Sequence, residues 1–151
     1  MIREVHCTVF EVPAQCLINP VNTVGVMGAG LAKAFKTRYP TMFAVYQEHC
    51  RLGELQIGTI HQYKELGKPW IFNVPTKIHW RQPSRREYVE RGLQQFARIY
   101  KNFPIQSVAF PPLGCGHGGL DWSTLVRPLM YHYLKDVELD VFICLPSHGS
   151  F

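Results

Sequence analysis

The chain has few of the features that would assign it at once to a familiar class of protein. Its five cysteines are odd in number, widely spaced and without a C-x-x-C pair, which excludes a dense disulfide scaffold and gives no zinc pattern. No run approaches the ~18 consecutive apolar residues of a membrane span. No basic patch followed by an apolar stretch marks a signal peptide. We therefore expect a monomeric, cytoplasmic protein with reduced thiols, no metal and no membrane partner.

The composition is that of a globular protein. With 46% hydrophobic and 18% charged residues, the chain is too apolar and too weakly charged to remain disordered. Its 151 residues suit one hydrophobic core, so we expect a single domain over residues 1–151. The net charge of +5 favours a polyanionic partner, either nucleic acid or a phosphate-bearing ligand.

The pattern of apolar residues and turn signals predicts strands that alternate with helices. Predicted strands cover residues 2–12 in one or two pieces, then 16–18, 59–63, 70–74, 107–110 and 141–145. Predicted helices cover 31–38, 41–50, 84–102 and 121–135, with caps expected at Thr41, Ser84 and Asp121 and a limit or kink at Pro128. This alternation predicts a three-layer α/β domain with a largely parallel sheet.

Two glycine-rich segments each follow a predicted strand and precede a predicted helix. We call residues 22–31 the first glycine loop and residues 111–119 the second glycine loop. Because ligands bind outside the carboxyl ends of parallel strands, two such loops suggest one shared cleft. Their backbone N–H groups suit an anion, although the first loop also fits a tight connection without a ligand, and the second fits a mobile flap. Cys115 is interpreted as a packing residue, and His117 as a ligand contact, a proton donor or an exposed loop residue.

A third cluster, residues 73–81, comes at the end of the predicted strand 70–74. In a partly desolvated site a lysine such as Lys77 loses its charge more easily, and its neutral amine can attack an electrophilic carbon. The alternative is an ordinary surface lysine. Trp80 is followed by Arg81, Arg85 and Arg86, a basic patch with an aromatic ring that suits base stacking and phosphate binding, or else a solvated helix start.

In segments 19–32, 73–81 and 111–122 the chain resembles the macrodomains, which are ADP-ribose-binding α/β/α domains. Within them it is similar to the DarG-type DNA ADP-ribosyl glycohydrolase antitoxins, a subclass related to the terminal ADP-ribose protein glycohydrolases. The resemblance covers nearly the whole chain. It implies an α/β fold, a three-layer α/β/α macrodomain with a mixed central sheet of about six strands, and an ADP-ribose cleft between the two glycine loops.

The resemblance also implies an activity and the residues that carry it. Lys77 would be catalytic and would remove ADP-ribose from a nucleobase, thymidine being the expected one, in single-stranded DNA. ADP-ribose would be the ligand or product without any cofactor, and a DNA ADP-ribosyltransferase toxin would be the cognate partner. The DNA side of the cleft would comprise His79, Trp80, Arg81 and Arg85. The ADP-ribose-binding residues would be Thr8, Val9, Asn22, Thr23, Gly25, Val26, Met27, Gly28, Gly30, Leu31, Pro75, Thr76, Pro112, Leu113, Gly114, Cys115, Gly116, His117, Gly118 and Gly119.

The sequence departs from the family pattern at two places. Cys7 and Thr8 stand where the family usually has Gly-Asp, whose carboxylate accepts from the adenine amino group. His117 to Gly119 stand where the protein-directed relatives have an aspartate that pairs with their lysine. Two other functions remain open, namely a non-catalytic ADP-ribose reader and a hydrolase of a small derivative such as ADP-ribose 1″-phosphate. The presence of the segment 76–81 with its lysine favours the DNA glycohydrolase.

Overall fold

A computed structural model describes residues 1–146, so the last five residues of the predicted domain, 147–151, lie outside the described residues. The strands are β1 (Ile2–Val5), β2 (Cys16–Val21), β3 (His61–Tyr63), β4 (Trp70–Pro75), β5 (Ser107–Phe110) and β6 (Asp140–Cys144). The α-helices are α1 (Gly30–Arg38), α2 (Pro40–Arg51), α3 (Arg86–Ile99) and α4 (Arg127–Leu134). Strands and helices therefore alternate in the way that the hydrophobic pattern predicts. None of the helices in this part of the chain is both long and apolar enough to cross a membrane.

The strands form one six-stranded sheet in the order β1-β6-β5-β2-β4-β3. Every neighbouring pair is parallel except β3 and β4, which are antiparallel. The mixed six-stranded sheet that the resemblance implied is confirmed. Because β2, β4 and β5 are parallel, their carboxyl ends meet at one edge, and the loops that follow them lie together there.

Two layers of helices cover the sheet, because successive side chains of a strand point to opposite faces. On one face Ile18, Phe72 and Phe110 join a buried cluster with the apolar sides of α3 and α4. On the other face Leu17, Ile71 and Ala109 pack in a second cluster with those of α1 and α2. The strands alternate between the two clusters, so the predicted three-layer architecture is confirmed.

Several predicted boundaries are wrong. Of the strand predicted over residues 2–12, only Ile2–Val5 is extended, and Val9–Glu11 form a 3₁₀ turn. The strand predicted over residues 16–18 continues to Val21, through Asn19 and Pro20. Proline fits there because β5 pairs only with Cys16 and Leu17, which leaves Pro20 with a strand neighbour on one side. The second helix begins at Pro40 rather than after a Thr41 cap, since proline needs no N–H acceptor in the first helical turn.

The cap predicted at Ser84 is also wrong. Helix α3 begins at Arg86, Arg85 occupies the cap position, and no side chain caps the helix. The Ser84 hydroxyl instead donates to the carbonyl of Thr76, 2.5 Å away, so a tertiary contact replaces the local one.

The cap at Asp121 is confirmed, since its carboxylate accepts from the N–H of Thr124 at 2.8 Å. The first turns of this helix, Trp122–Val126, are π-helical, and regular α-helix starts only at Arg127. Pro128 lacks the N–H that an α-helix would use for an i→i−4 bond, which agrees with the limit predicted there.

Candidate active site

A cleft of about 840 Å³ opens where the carboxyl ends of β2, β4 and β5 meet. It lies between the two glycine loops and is closed on one side by the segment after β4. The predicted site residues that line it are Asn22, Val26, Gly28, Gly30, Leu31, Thr76, Lys77, Trp80, Arg81, Pro112, Gly114, Gly116, His117, Gly118 and Gly119. The other lining residues were not among the predicted site residues; they are Pro20, Val21, Ala29, Ala32, Gln82, Pro83 and Pro111.

The remaining predicted site residues are not among those that line the cleft. These are Thr8, Val9, Thr23, Gly25, Met27, Pro75, Leu113, Cys115, His79 and Arg85. Some of them are packed behind its walls, as Met27 and Leu113 show with exposed fractions of 2% and 0%. The N–H of Thr8 binds the carboxylate of Glu11 at 2.8 Å, which holds this turn in shape. Their ligand contacts stay predictions.

Side chains organise the first glycine loop. The Asn22 amide donates to the carbonyl of Val26 at 2.8 Å, and its oxygen accepts from the N–H groups of Val24 and Val26 at 3.1 and 3.3 Å. Gln47 on α2 donates to the carbonyl of Gly25 at 3.2 Å. Asn22, which was expected as an ADP-ribose-binding residue, therefore also holds the first glycine loop in shape.

Tyr46 on α2 supports Asn22 from below. Its hydroxyl lies 2.8 Å from the Asn22 carbonyl and 3.0 Å from the Asn22 side-chain oxygen. The ring is fully buried, and burial raises the pKa of the phenol well above its usual range, so the hydroxyl stays a donor. Tyr46 was not among the residues predicted for the site. Its role could have been suspected because the hydroxyl of a buried tyrosine needs a hydrogen-bond partner.

A buried polar layer lies deeper on the same face. Asn19 on β2 donates to the side-chain oxygen of Asn73 on β4 at 2.9 Å, and its amide nitrogen is 3.8 Å from the Met27 sulfur. Asn73 in turn donates to Nδ1 of His61 at 3.0 Å. Burial lowers the pKa of His61 to about 4, so the imidazole is neutral and can accept this bond. The first glycine loop thus rests on side-chain hydrogen bonds.

The second glycine loop is organised by its own backbone. The N–H of Leu120 donates to the carbonyl of Gly114 at 3.0 Å, and that of Gly119 donates to Gly116 at 3.1 Å. Gly114 has a φ of +72°, a conformation that side chains disfavour. A Cβ on Gly118 would lie 2.4 Å from the carbonyl oxygen of Gly114, so only glycine fits there.

Both loops present backbone N–H groups that have no acceptor within residues 1–146. In the second loop these belong to residues 116–118, all of which line the cleft. In the first loop they belong to residues 30–32, which open α1 and also line it. Ala29 at the cap position offers no side-chain oxygen to this helix. Unpaired N–H groups at a helix start and in a glycine loop suit an anion.

Lys77 lies two residues after the end of β4 and lines the cleft. Its Nζ donates to the carbonyl of Trp80 at 3.3 Å. Burial lowers the pKa of the Lys77 amine, and no ion pair within the described residues opposes this shift. A neutral fraction of the amine is therefore easier to reach than for a solvated lysine.

Hydrogen bonds hold the backbone on both sides of Lys77. On the amino side, the carbonyl of Thr76 accepts from Ser84, as described above. On the carboxyl side, the carbonyl of Ile78 accepts from the N–H and the hydroxyl of Thr23 at 3.1 and 2.7 Å. Thr23, expected as a ligand contact, thus ties the first glycine loop to the lysine segment.

The rim beside Lys77 carries an exposed aromatic ring with a cation. The Trp80 side chain is 45% exposed and stacks on the ring of His79, with centroids 5.4 Å apart. The guanidinium of Arg81 lies 4.5 Å from the centre of the Trp80 ring. Arg85 lies 3.9 Å from Glu87. Of the four residues expected on the DNA side, Trp80 and Arg81 face the cleft.

Cys115 is unsuited to act as a nucleophile. Burial raises the pKa of its thiol to about 12, and its Sγ donates to the carbonyl of Leu113 at 3.5 Å. The thiolate, which is the reactive form, is therefore scarce at neutral pH. The interpretation of Cys115 as a packing residue agrees with this environment.

A family model described as Macro domain matches residues 18–128 of the chain. The chain belongs to the macrodomain family. The macrodomain is 47% identical to a curated DNA ADP-ribosyl glycohydrolase of Thermus aquaticus in an alignment of 147 residues, which covers 94% of this chain and 41% of that relative. It thus spans about two fifths of the length of this relative.

Solved structures give the same assignment. The macrodomain of Thermus aquaticus DarG superposes with a TM-score of 0.89 at 42% identity, covering 95% of this macrodomain and 97% of that chain. Thermosipho africanus DarTG in complex with ADP-ribose superposes with a TM-score of 0.91 at 39% identity, covering 97% of this macrodomain and 42% of that chain. Both similarities extend over nearly the whole chain.

Proposed function

We propose that this macrodomain is a DNA ADP-ribosyl glycohydrolase that releases ADP-ribose from a nucleobase in single-stranded DNA, with thymidine as the expected base. The observation that carries the proposal is the position of Lys77, a partly desolvated amine in the same cleft as two runs of unpaired N–H groups. An ADP-ribose reader needs those N–H groups but has no use for such an amine. The name of the Thermus aquaticus relative supports the same activity.

The two glycine loops would bind the diphosphate and the distal ribose. The N–H groups of residues 116–118 and of residues 30–32 lie on the two sides of the cleft and can donate to phosphate oxygens. The second amide hydrogen of Asn22 would reach a ribose hydroxyl. Binding of this kind uses fixed dipoles, so it positions the anomeric carbon before any bond changes.

The reaction would proceed through a covalent bond to the lysine. The neutral amine of Lys77 attacks the anomeric carbon of the distal ribose, and the bond from this carbon to the base nitrogen breaks. The base leaves with the bonding electron pair and takes up the proton that the amine gives up. Opening of the ribose ring gives an imine. Water then adds to the imine carbon and the carbon–nitrogen bond breaks. ADP-ribose is released, and the free amine of Lys77 is regenerated.

The rim beside Lys77 would hold the DNA strand. The exposed ring of Trp80 offers a stacking surface for a base, and Arg81 offers a cation for a phosphate. A Thermosipho africanus relative, 39% identical over 150 residues, is named a fusion of a DNA ADP-ribosyl transferase with a DNA ADP-ribosyl glycohydrolase. This name supports a transferase toxin as the cognate partner.

Substitution of Lys77 tests the proposal. Lys77→Ala should lower the release of ADP-ribose from thymidine-modified single-stranded DNA by about 1000-fold or more, while ADP-ribose affinity stays within about threefold. Lys77→Arg should be almost as inactive, because a guanidinium keeps its proton and cannot form the imine. Chromatographic measurement of released ADP-ribose and calorimetric titration give the two quantities.

Lys64→Ala, an exposed lysine outside the cleft, is the matched control and should behave as the wild-type protein does. Normal release by Lys77→Ala would overturn the catalytic assignment and favour an ADP-ribose reader or a hydrolase of a small derivative. Normal release by Lys77→Arg alone would mean that the lysine acts only through its charge.

A further inference from the structure

Ser84 contacts both the lysine segment and the second glycine loop. Its hydroxyl donates to the carbonyl of Thr76 at 2.5 Å, and its N–H donates to the carbonyl of Gly118 at 2.9 Å. The residue is 5% exposed, although it lies only two positions before an exposed helix start. Both of its hydrogen-bond donors are therefore used for cleft-forming segments.

The second glycine loop closes tightly around this serine. A Cβ on Gly118 would lie 2.9 Å from the Ser84 Cβ, and a Cβ on Gly114 would lie 2.9 Å from its hydroxyl oxygen. Such spacing shows that the loop backbone packs directly against Ser84. A displacement of the loop towards Ser84 would therefore be transmitted to the peptide that Ser84 holds.

That peptide is the one that joins Thr76 to Lys77. Its oxygen accepts from Ser84, while the N–H of Thr76 donates to the carbonyl of Val21 at 2.9 Å. The Lys77 side chain itself has a single hydrogen bond within residues 1–146, the 3.3 Å contact with Trp80. Its direction is thus set mainly by the backbone from which it extends.

We propose that Ser84 is a positioning residue, which holds the Thr76–Lys77 peptide in register with the second glycine loop so that the Lys77 amine faces a carbon of a ligand bound there. This inference rests on the proposed function. Ser84 touches no substrate and acts through Lys77. Misplacement of a reacting group by about 1 Å can cost about 100-fold in rate, so a single lost hydrogen bond at this peptide should be measurable.

Ser84→Ala removes the hydroxyl but keeps the N–H bond to Gly118. We expect the single-turnover rate of ADP-ribose release at saturating DNA to fall about 10-fold or more, while ADP-ribose affinity changes by less than about threefold. Ser84→Cys replaces the hydroxyl with a thiol, which is a weaker donor, and should give a rate between those of the wild-type protein and Ser84→Ala. This split between rate and affinity is the readout that a merely structural role would not produce.

Ser107→Ala is the matched control. Ser107 is at the amino end of β5, away from the cleft, and its hydroxyl accepts from the N–H of Gln15 at 2.9 Å. This variant also loses one hydrogen bond to the backbone, so its effect on melting temperature gives the scale for a structural loss. Its rate and affinity should equal those of the wild-type protein.

A titration of Lys77 by NMR with ¹³C-labelled lysine needs no activity. In the wild-type protein burial lowers the pKa of Lys77, and in Ser84→Ala it should move toward the ordinary value as the amine becomes more solvated. A wild-type rate in Ser84→Ala, or a rate loss matched by an equal loss of affinity, would overturn the proposal. If the wild-type protein releases no ADP-ribose, the proposed function fails and the titration alone decides, an unchanged Lys77 pKa overturning the role of Ser84.

Discussion

The two glycine loops face each other across one cleft, but different parts of the chain determine their shapes. The first loop is held by side chains, above all by Asn22 inside it and Tyr46 beneath it. The second loop is held by hydrogen bonds between backbone groups, one of them donated by the N–H of Ser84, and by close contacts that only glycine permits. The two loops, which we expect to bind the same ligand, are thus stabilised in different ways, one by side-chain hydrogen bonds and the other by backbone contacts.

This difference teaches where substitutions can be tolerated. A loop held by side chains loses a few hydrogen bonds when one partner changes, and the rest of the network keeps its form. A loop held by backbone contacts cannot compensate in this way, because an added Cβ meets a carbonyl that cannot move without the rest of the loop. The second loop should therefore be the more sensitive of the two to a change of a single atom.

The largest effect is expected for Gly118→Ala. The new Cβ would lie 2.4 Å from the Gly114 carbonyl oxygen, so the loop must open and its N–H groups must leave their places. We expect ADP-ribose affinity to fall by about 100-fold or more, which is about 2.7 kcal/mol of binding free energy. Calorimetric titration of the wild-type and variant proteins measures this loss.

The same substitution in the first loop is its control. A Cβ on Gly28 would meet only the Val26 side chain, at the ordinary distance of 3.6 Å. Gly28→Ala should keep the melting temperature of the ligand-free protein within about 2 °C, whereas Gly118→Ala should lower it by more. Equal melting temperatures for the two variants would contradict the distinction between the loops.

A smaller effect is expected for Tyr46→Phe, which removes only the buried hydroxyl under the first loop. The hydroxyl has one hydrogen, which the carbonyl and the side-chain oxygen of Asn22 share, and its loss should cost about 1–3 kcal/mol in the free energy of unfolding. We expect ADP-ribose affinity to fall by about 3- to 10-fold, since Tyr46 does not line the cleft.

Chemical denaturation and ligand titration separate the two quantities. Tyr63→Phe is the matched control, because its hydroxyl binds Glu65 at 3.1 Å in a partly exposed position outside the cleft. If Tyr46→Phe kept wild-type affinity and stability, the shape of the first loop would not depend on this hydroxyl.

The smallest effect concerns pH and arises from the polar layer under the first loop. The pKa of His61 is lowered to about 4 by burial, against 6.5 in the unfolded chain, so the unfolded chain binds more protons between these values. Stability should therefore fall as pH drops from 6.5 towards 4. The contribution of His61 is fully present above 6.5.

Melting curves from pH 7 to pH 5 test this expectation. His61→Gln should flatten the dependence by about 3 °C or more across this range, while His132→Gln, which changes an exposed histidine of α4, should leave it as in the wild-type protein. If the melting temperatures of the wild-type protein and His61→Gln depended on pH in the same way, His61 would not be the group responsible for this dependence.

Sequence reasoning reached the architecture and the segments of the cleft because those depend on local patterns. Alternating strands and helices follow from apolar periodicity, and the glycine loops follow from composition. The mixed sheet of six strands came from the family resemblance. The hydrogen-bond partner of each polar side chain could not be predicted from the sequence. Ser84 fits a capping pattern, but its hydroxyl binds a carbonyl that lies eight residues earlier.

The site shows the same limit at individual residues. Lys77 was identified from its place after a predicted strand and from the family resemblance, Asn22 from the resemblance, and both line the cleft. Tyr46 was missed, since a tyrosine on an apolar helix face gives no local sign that its hydroxyl reaches another segment. Contacts between residues far apart in sequence depend on the packed fold, which periodicity does not specify.

The place of β1 in the sheet has a consequence for how the chain is made. Among the described residues β1 pairs only with β6, with Ile2 opposite Val141, so β1 gains its partner strand only after the other four strands of the sheet have been synthesised. Until β6 emerges, the free edge of β5 is exposed as well, and exposed strand edges favour misassembly. A nascent chain that stalls before residue 140 therefore carries a nearly complete cleft beside an unfinished sheet, and we expect such chains to be early substrates of chaperones.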